Sequence, residues 1–228
     1  MGQPGGGLSD GGALAPAASL TPESLKTAGG VCHRVKNDFQ TIANILALGS
    51  AHARSPRDLA EAVEGRVVAL SLGYTLVSET GQPPTLDRLA QEVLRRNLWK
   101  GPSHLRLARR LPPLVLSLRL CSPLSLWLHE IIGNALRHGL EQVSDPELLL
   151  EGSLDDDGLR LCVTDNGAGL PPGFALERDA RLGLRLAMAL AANDLRGGLE
   201  LEDARPGLKA TLRVPAGELA RLAQELWW

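Results

Sequence analysis

Two groups of residues, about a hundred positions apart, have types and spacing that could carry chemistry. The first is His33 with Asn37, in Cys32-His33-Arg34-Val35-Lys36-Asn37-Asp38-Phe39-Gln40-Thr41-Ile42. Histidine titrates near neutral pH, so its ring is a nucleophile or a proton carrier. Asn37, four residues on, shares the helix face of His33. Alone, His33 reads as a surface histidine without a duty; a second group changes its weight. In Leu128-His129-Glu130-Ile131-Ile132-Gly133-Asn134-Ala135-Leu136-Arg137-His138, the residues Glu130, Asn134, Arg137 and His138 fall at helical steps of four, three and one. That face holds an acid, a neutral oxygen donor and two potential cations. The Asn134 carbonyl is a hard ligand suited to Mg²⁺, which keeps waters and shares substrate phosphates. The Arg137 fork suits phosphate. Asp165-Asn166-Gly167-Ala168-Gly169 follows a strand, so Asp165 stands where a carboxylate can accept a hydrogen bond from an adenine amino group. Gly167 and Gly169 let backbone approach a ligand. Gly183, in Arg181-Leu182-Gly183-Leu184-Arg185-Leu186, enters a helix whose free N–H groups and positive dipole end suit phosphate. The connector 170–180, with Pro171, Pro172 and Gly173, has the composition of a lid.

These groups need elements to hold them. Thr21-Pro22 is a cap followed by proline at the first helical position, and a helix is expected over about 22–52. Ser55-Pro56-Arg57-Asp58 opens a second helix in the same way. Val35, Phe39, Ile42, Leu46 and Gly49 form a seam on the first helix, and Val63, Val67, Leu70, Tyr74 and Val77 on the second. Steps of four and three make these coiled-coil seams, narrower than a core stripe. Two helices and a short loop give an antiparallel hairpin, and two hairpins give a four-helix bundle. A homodimer through 21–80 is therefore expected; the alternative is that both seams pack on the rest of the chain. Gly81-Gln82-Pro83-Pro84 reads as a linker. Beyond it, over 85–228, helix and strand alternate: a helix over 85–98, strands over 104–109 and 115–119, and a helix from a Ser122-Pro123 cap to about His138. Strands over 147–154 and 159–164 follow, then a helix over 182–195, strands over 199–203 and 209–214, and a helix from about Gly217 to Trp227-Trp228. The fold class is α+β, a mixed sheet covered by helices on one side.

Composition narrows the remaining classes. The chain has 228 residues, 44% of them hydrophobic, enough for a real core. A net charge of -2 argues against non-specific nucleic-acid binding. Cys32, Cys121 and Cys162 are odd in number and far apart, so neither a zinc site nor a disulfide framework is indicated. No apolar run is long enough to insert in a membrane, and the N-terminus lacks the pattern of a signal peptide. A cytoplasmic location is expected. Residues 1–20, rich in glycine and alanine, are expected to be disordered.

The order of the pieces resembles the GHKL (Bergerat-type) ATPase domain of sensor histidine kinases. Glu130–His138 is similar to its N box, Asp165–Gly169 to its G1 box and Leu182–Leu186 to its G2 box. The segment from Gly207 to Pro215 is similar to its closing strand, and Thr211 would then support Asp165 at the adenine. His33-Arg34-Val35-Lys36-Asn37 resembles the phosphoacceptor box of the HRxKN subfamily, related to the HWE group. The resemblance covers about residues 22–215. It implies an ATP- and Mg²⁺-dependent histidine kinase, phosphorylated on His33, that passes the group to an aspartate of a response regulator. Asn134, Arg137, His138, Asp165, Gly167, Gly169, Arg181, Gly183, Leu184 and Thr211 would bind the nucleotide, with Asn134 at the metal. Asn37 would hold water for dephosphorylation.

The chain departs from the family pattern in places. Arg181 holds the first glycine position of the G2 box, which implies either weaker phosphate binding or an Arg181 that itself meets a phosphate. The Trp-x-Glu element of the HWE group is absent before Asp165, which places the chain nearer the general HRxKN kinases. Arg34 stands where many histidine kinases have an acid, so a base must come from elsewhere, and Glu130 is one candidate when the domains meet. No sensor domain is expected before Thr21, so the signal would come from an upstream partner or phospho-donor. Two rival readings are a histidine phosphotransferase with a decayed ATPase half, and an anti-sigma-type Ser/Thr kinase or partner switch.

Overall fold

The computed structural model describes the backbone of residues 22–53 and 55–223, with side chains from residue 35 onward except those of residues 48, 52 and 58. The expectations for the tail at 1–20, the Thr21 cap, the Trp227-Trp228 end and the His33 side chain lie outside the described residues. Helices α1 (Pro22–His52) and α2 (Pro56–Thr80) form an antiparallel hairpin with the expected bounds. Pro56 begins α2 because a first-turn residue needs no N–H partner. Tyr74 donates to Asp38 across the hairpin at 2.6 Å and fixes its register.

Helix α3 (Leu86–Asn97) starts at Thr85, whose hydroxyl accepts from the Arg88 N–H. Strand β1 (Arg106–Arg110) follows, and then comes a correction. Residues 115–119 are not a strand. Val115 makes one isolated bridge to Thr85, and helix α4 (Leu118–Asn134) begins a turn earlier than its Ser-Pro signal. Ser117 is the cap, accepting from Leu120 N–H, and Pro123 lies inside the helix. Burial explains the choice. Leu120, Cys121 and Leu124 are fully buried at helical spacing, which a strand would split between two faces.

Strands β2 (Glu147–Asp155), β3 (Gly158–Asp165), β4 (Gly198–Asp203) and β5 (Leu208–Pro215) complete a five-stranded sheet in the order β1-β2-β3-β5-β4. The β1–β2 pair is parallel and the rest are antiparallel, so the sheet is mixed. Between β3 and β4 lie α5 (Leu176–Asp179) and α6 (Leu182–Ala189), and α7 (Ala216–Ala223) follows β5. Leu159, Leu161, Val163, Ala210, Leu212 and Val214 join α3, α4 and α6 in one buried core.

The hairpin is part of that core. Gly65, Ala69 and Gly73 make a stripe of small residues along α2, and α4 lies against it. His129 packs on Gly65, the Ser125 hydroxyl donates to the Ala69 carbonyl, and Cys121 packs on Gly73. Leu70, Leu72 and Leu76 are buried with them. Each buried leucine contributes about 1.5–3 kcal/mol relative to exposure, so this face of α2 is committed to α4. On α1 the expected seam divides: Val35, Phe39 (65% exposed) and Leu46 face outward, with Tyr74 beside them on α2, while Ile42 packs on the core and Gly49 lies against Leu59 and Val63 of α2.

Candidate active site

Asp165 ends β3 on the core face of the sheet and is only 5% exposed. Its Oδ1 accepts the N–H of Gly167 at 2.9 Å and of Leu208 at 3.3 Å. Burial pushes its carboxyl above the ordinary range, and these two N–H groups pull the other way. The glycines around it are there for close approach. A Cβ on Gly139 would stand 2.9 Å from Asp165 Oδ1, and one on Gly167 would meet the Gly139 carbonyl oxygen at 2.2 Å. Gly207, at φ +96°, allows β5 to start against the Asp165 carbonyl. Asn166 is a brace: its Oδ1 accepts from Glu147 N–H at 2.8 Å and its Nδ2 donates to the Asp145 carbonyl at 2.9 Å. Gly169, at φ +70°, turns the chain away toward the connector.

Helix α4 reaches Asp165 through an irregular end. Residues Ala135–Gly139 form a π turn, closed by Leu140 N–H donating to the Ala135 carbonyl at 2.9 Å. The wider turn brings Gly139 under Asp165, where its carbonyl accepts Ala168 N–H at 3.2 Å. Sequence reasoning expected a regular helix here and passed over Gly139; a glycine at the helix end next to the charged pair Arg137-His138 was the available signal. His138 is exposed beside this turn, its ring held below the usual histidine range by desolvation and by Arg137 and Arg181. Arg137 folds back along α4 over Gly133.

One turn before Asn134 sits Glu130, which is 1% exposed. Gly183, second residue of α6, closes on it: a Cβ there would lie 2.3 Å from Glu130 Oε2 and 3.7 Å from Asn134 Oδ1. The start of α6, whose first N–H groups have no partner within the helix, therefore faces the acid–amide pair of α4. Arg181 is the N-cap residue of α6 and makes no capping bond with its side chain. Leu184 packs partly buried against the core, so it offers backbone only. Asp165, Gly167, Asn134, His138 and Gly183 thus converge on one region between the ends of α4, β3 and the start of α6.

Two assignments change. Thr211 pairs with Cys162 in the β3–β5 ladder, so it lies on the face of the sheet opposite Asp165. Its hydroxyl is 3.5 Å from the Cys162 sulfur, and the neighbour of Asp165 on β5 is the Leu208 N–H. Glu130 is not directed at His33 in this arrangement. Both its oxygens are taken by Arg66 of α2, Nε at 2.7 Å and Nη2 at 3.0 Å. From the Tyr74–Asp38 register, Arg66 lies about thirteen residues along the hairpin from the level of His33, roughly 19 Å at 1.5 Å per residue. Arg66 was missed because its partner is distant in sequence, although the Gly65, Ala69, Gly73 spacing beside it was readable.

The residues present fit Mg²⁺ and a nucleotide. With Glu130 taken by Arg66, the donor beside Gly183 is an oxygen, Asn134 Oδ1, as a hard cation requires. Among the described residues no cluster of three or more His, Cys, Asp or Glu side chains could hold an ion by itself. A cavity of about 850 Å³ lies elsewhere, between α2, the end of α3 and α4, lined by Trp99, Lys100, His129 and Arg137 among others. No helix among the described residues is long and apolar enough to cross a membrane.

Comparison with known proteins finds relatives in sequence and in fold. Residues 31–108 match the HWE histidine kinase family. The matched span ends before the strand in which the Trp-x-Glu element is missing. The sensor histidine kinase PdtaS of Mycobacterium tuberculosis is 30% identical over 83% of this chain and 39% of its own length. Blue-light-activated histidine kinase 1 of Erythrobacter litoralis is 27% identical over 80% of this chain and 51% of that protein. The chain thus spans about two fifths to a half of the curated relatives it matches. In fold it is similar to the Erythrobacter litoralis EL346 blue-light activated histidine kinase, with a TM-score of 0.67 at 20% identity, covering 92% of this chain and 64% of that one. The isolated histidine kinase domain of that protein gives a TM-score of 0.61, covering 84% of this chain and 98% of that one.

Proposed function

Because the chain belongs to the histidine kinase family, its residues 31–108 matching the HWE group, we propose that it is an ATP-dependent protein histidine kinase of a two-component system. ATP is the substrate, with its adenine against Asp165 and its phosphates between Asn134, His138 and the start of α6; Arg137, expected at the phosphates, instead folds over Gly133 toward the cavity on the α2 side. A ring nitrogen of His33 attacks the γ-phosphorus, the bond to the β-phosphate oxygen breaks, and ADP leaves. The phosphoryl group then passes to an aspartate of a response-regulator receiver domain. Mg²⁺, held with Asn134, would neutralise phosphate charge; positioning and electrostatics supply most of the rate in such transfers. The observation that carries this reading is the convergence of Asp165, Gly139, Asn134 and Gly183 in a chain that also bears the His33 box on α1. The phosphotransferase alternative is disfavoured by the same convergence, since a domain relieved of nucleotide needs neither a buried Asp165 nor the close glycines around it. The open face of α1, with Val35, Phe39 and Leu46, supports a homodimer through that helix.

The test is a single variant. With γ-labelled ATP and Mg²⁺, His33→Ala is expected to lose all label while binding nucleotide with native affinity. Label that persists in His33→Ala would remove His33 from the reaction.

A further inference from the structure

The Arg66–Glu130 pair joins the hairpin to the nucleotide region, and nothing in the kinase chemistry needs it. Arg66 is 8% exposed and Glu130 1% exposed, and the contact is two-pronged. Among the described residues, all hydrogen bonds to the Glu130 carboxylate come from Arg66. The same carboxylate lies against Gly183 and near Asn134. A guanidinium from α2 therefore occupies the acid that borders the phosphate region. The pair also fixes where the two parts dock, at a level roughly 19 Å along the hairpin from His33.

We propose that Arg66 is an interdomain latch: it holds the ATP-binding part against α2 in a docked form from which the γ-phosphate cannot reach His33 of the same hairpin, and phosphorylation requires its release. The inference rests on the kinase reading for its last step only. Its physical basis is the asymmetry of buried ion pairs. A made pair is close to neutral against solvation, whereas a lone buried carboxylate is strongly unfavourable. In the docked form Glu130 is buried, and on release it returns to water. Removing Arg66 thus penalises the docked form alone and moves the equilibrium toward release. The small-residue stripe Gly65, Ala69, Gly73 gives the docked form its close fit, so α4 either seats fully or leaves. A shift or rotation of α2 carries Arg66 with it, which couples movement of the hairpin to the nucleotide region in both directions.

Cys121 reports docking directly. It is 0% exposed, packed on Gly73 at the α2–α4 contact. The experiment measures, in the full chain, the alkylation rate of Cys121 by iodoacetamide with peptide-resolved mass spectrometry, and the initial rate of His33 labelling at saturating Mg-ATP. Arg66→Gln is expected to raise the first at least tenfold and the second at least threefold, with unchanged helix content by circular dichroism. A native alkylation rate in Arg66→Gln would overturn the latch. Faster alkylation with unchanged or slower labelling would overturn its inhibitory role. Should Arg66→Gln not fold, Arg66→Lys, which keeps the charge and loses the fork, decides: faster Cys121 alkylation supports the latch and a native rate refutes it. Absence of label from every form, native included, would fail the kinase reading, and the alkylation rates would still decide whether Arg66 holds the two parts together.

Discussion

Asp165→Asn separates the ligand-facing role of this residue from its structural one. Asp165 Oδ1 already serves the fold, accepting from Gly167 and Leu208 N–H. Asparagine can keep that oxygen in place and satisfy both donors. What it replaces is Oδ2, which takes neither bond, by an NH₂ group. An adenine amino group would then meet a donor instead of an acceptor. A hydrogen bond to a charged acceptor contributes about 1.5–3 kcal/mol, so its loss corresponds to roughly a 10- to 150-fold weaker nucleotide. The opposing donors add to this. Because Asp165 is buried with its charged form disfavoured, the neutral amide leaves the fold stable, and thermal unfolding is expected to stay within a few degrees of native. Isothermal titration with ATP gives the affinity, and a guanine or pyrimidine triphosphate provides the control, since neither places the adenine amino donor there. A change of less than threefold for ATP, in a folded variant, would refute the placement of adenine at Asp165.

Other consequences follow from particular contacts. His129 is held down to about 4 by burial, and its Nδ1 faces the Asn97 amide nitrogen at 3.1 Å, so the ring is neutral in the fold. Its folded value lies below its unfolded one, so stability is intact above about 6.5 and falls as pH drops toward 4; between pH 7 and 5 the loss is about 2 kcal/mol, and urea melts of His129→Gln should show a flatter acid slope. Gly73→Val would place its Cβ 2.5 Å from that of Cys121, and a loss of about 1–3 kcal/mol in denaturant stability is expected for such overpacking at the α2–α4 contact. Phe39→Asp, on the open face of α1, is expected to turn a dimer into a monomer by light scattering without loss of helix; a variant that stays dimeric places the interface elsewhere.

The parts of the fold set by local signals were legible in the sequence. Ser55-Pro56 marks the start of α2, and the turn Asp155-Asp156-Asp157-Gly158 marks the β2–β3 hairpin, where Gly158 adopts φ +126°. The start of α4 was not legible, because Leu114, Leu116, Leu118 and Leu120 alternate like a strand while Leu116, Leu120 and Leu124 repeat like a helix. Only the tertiary core chooses between them. Thr211 was misplaced for a related reason: which face a β5 residue takes depends on register with β3, and a shift of one residue inverts it. At the π turn Ala135–Gly139 the sequence offers Gly139 at the helix end, but the wider turn itself is imposed by the packing of Gly139 under Asp165. The largest gap was α2. Its two stripes overlap on one helix, and the seam of Val63, Val67, Leu70 and Val77 drew attention from the small-residue stripe that receives α4.

The central claim, that His33 receives the γ-phosphoryl group of ATP, is tested most directly by the chemistry of the label on the native chain. Incubated with Mg²⁺ and γ-labelled ATP, the protein should take up label that is lost in acid, survives alkali and maps to the peptide containing His33. Acid-stable label on a serine or threonine would contradict the account.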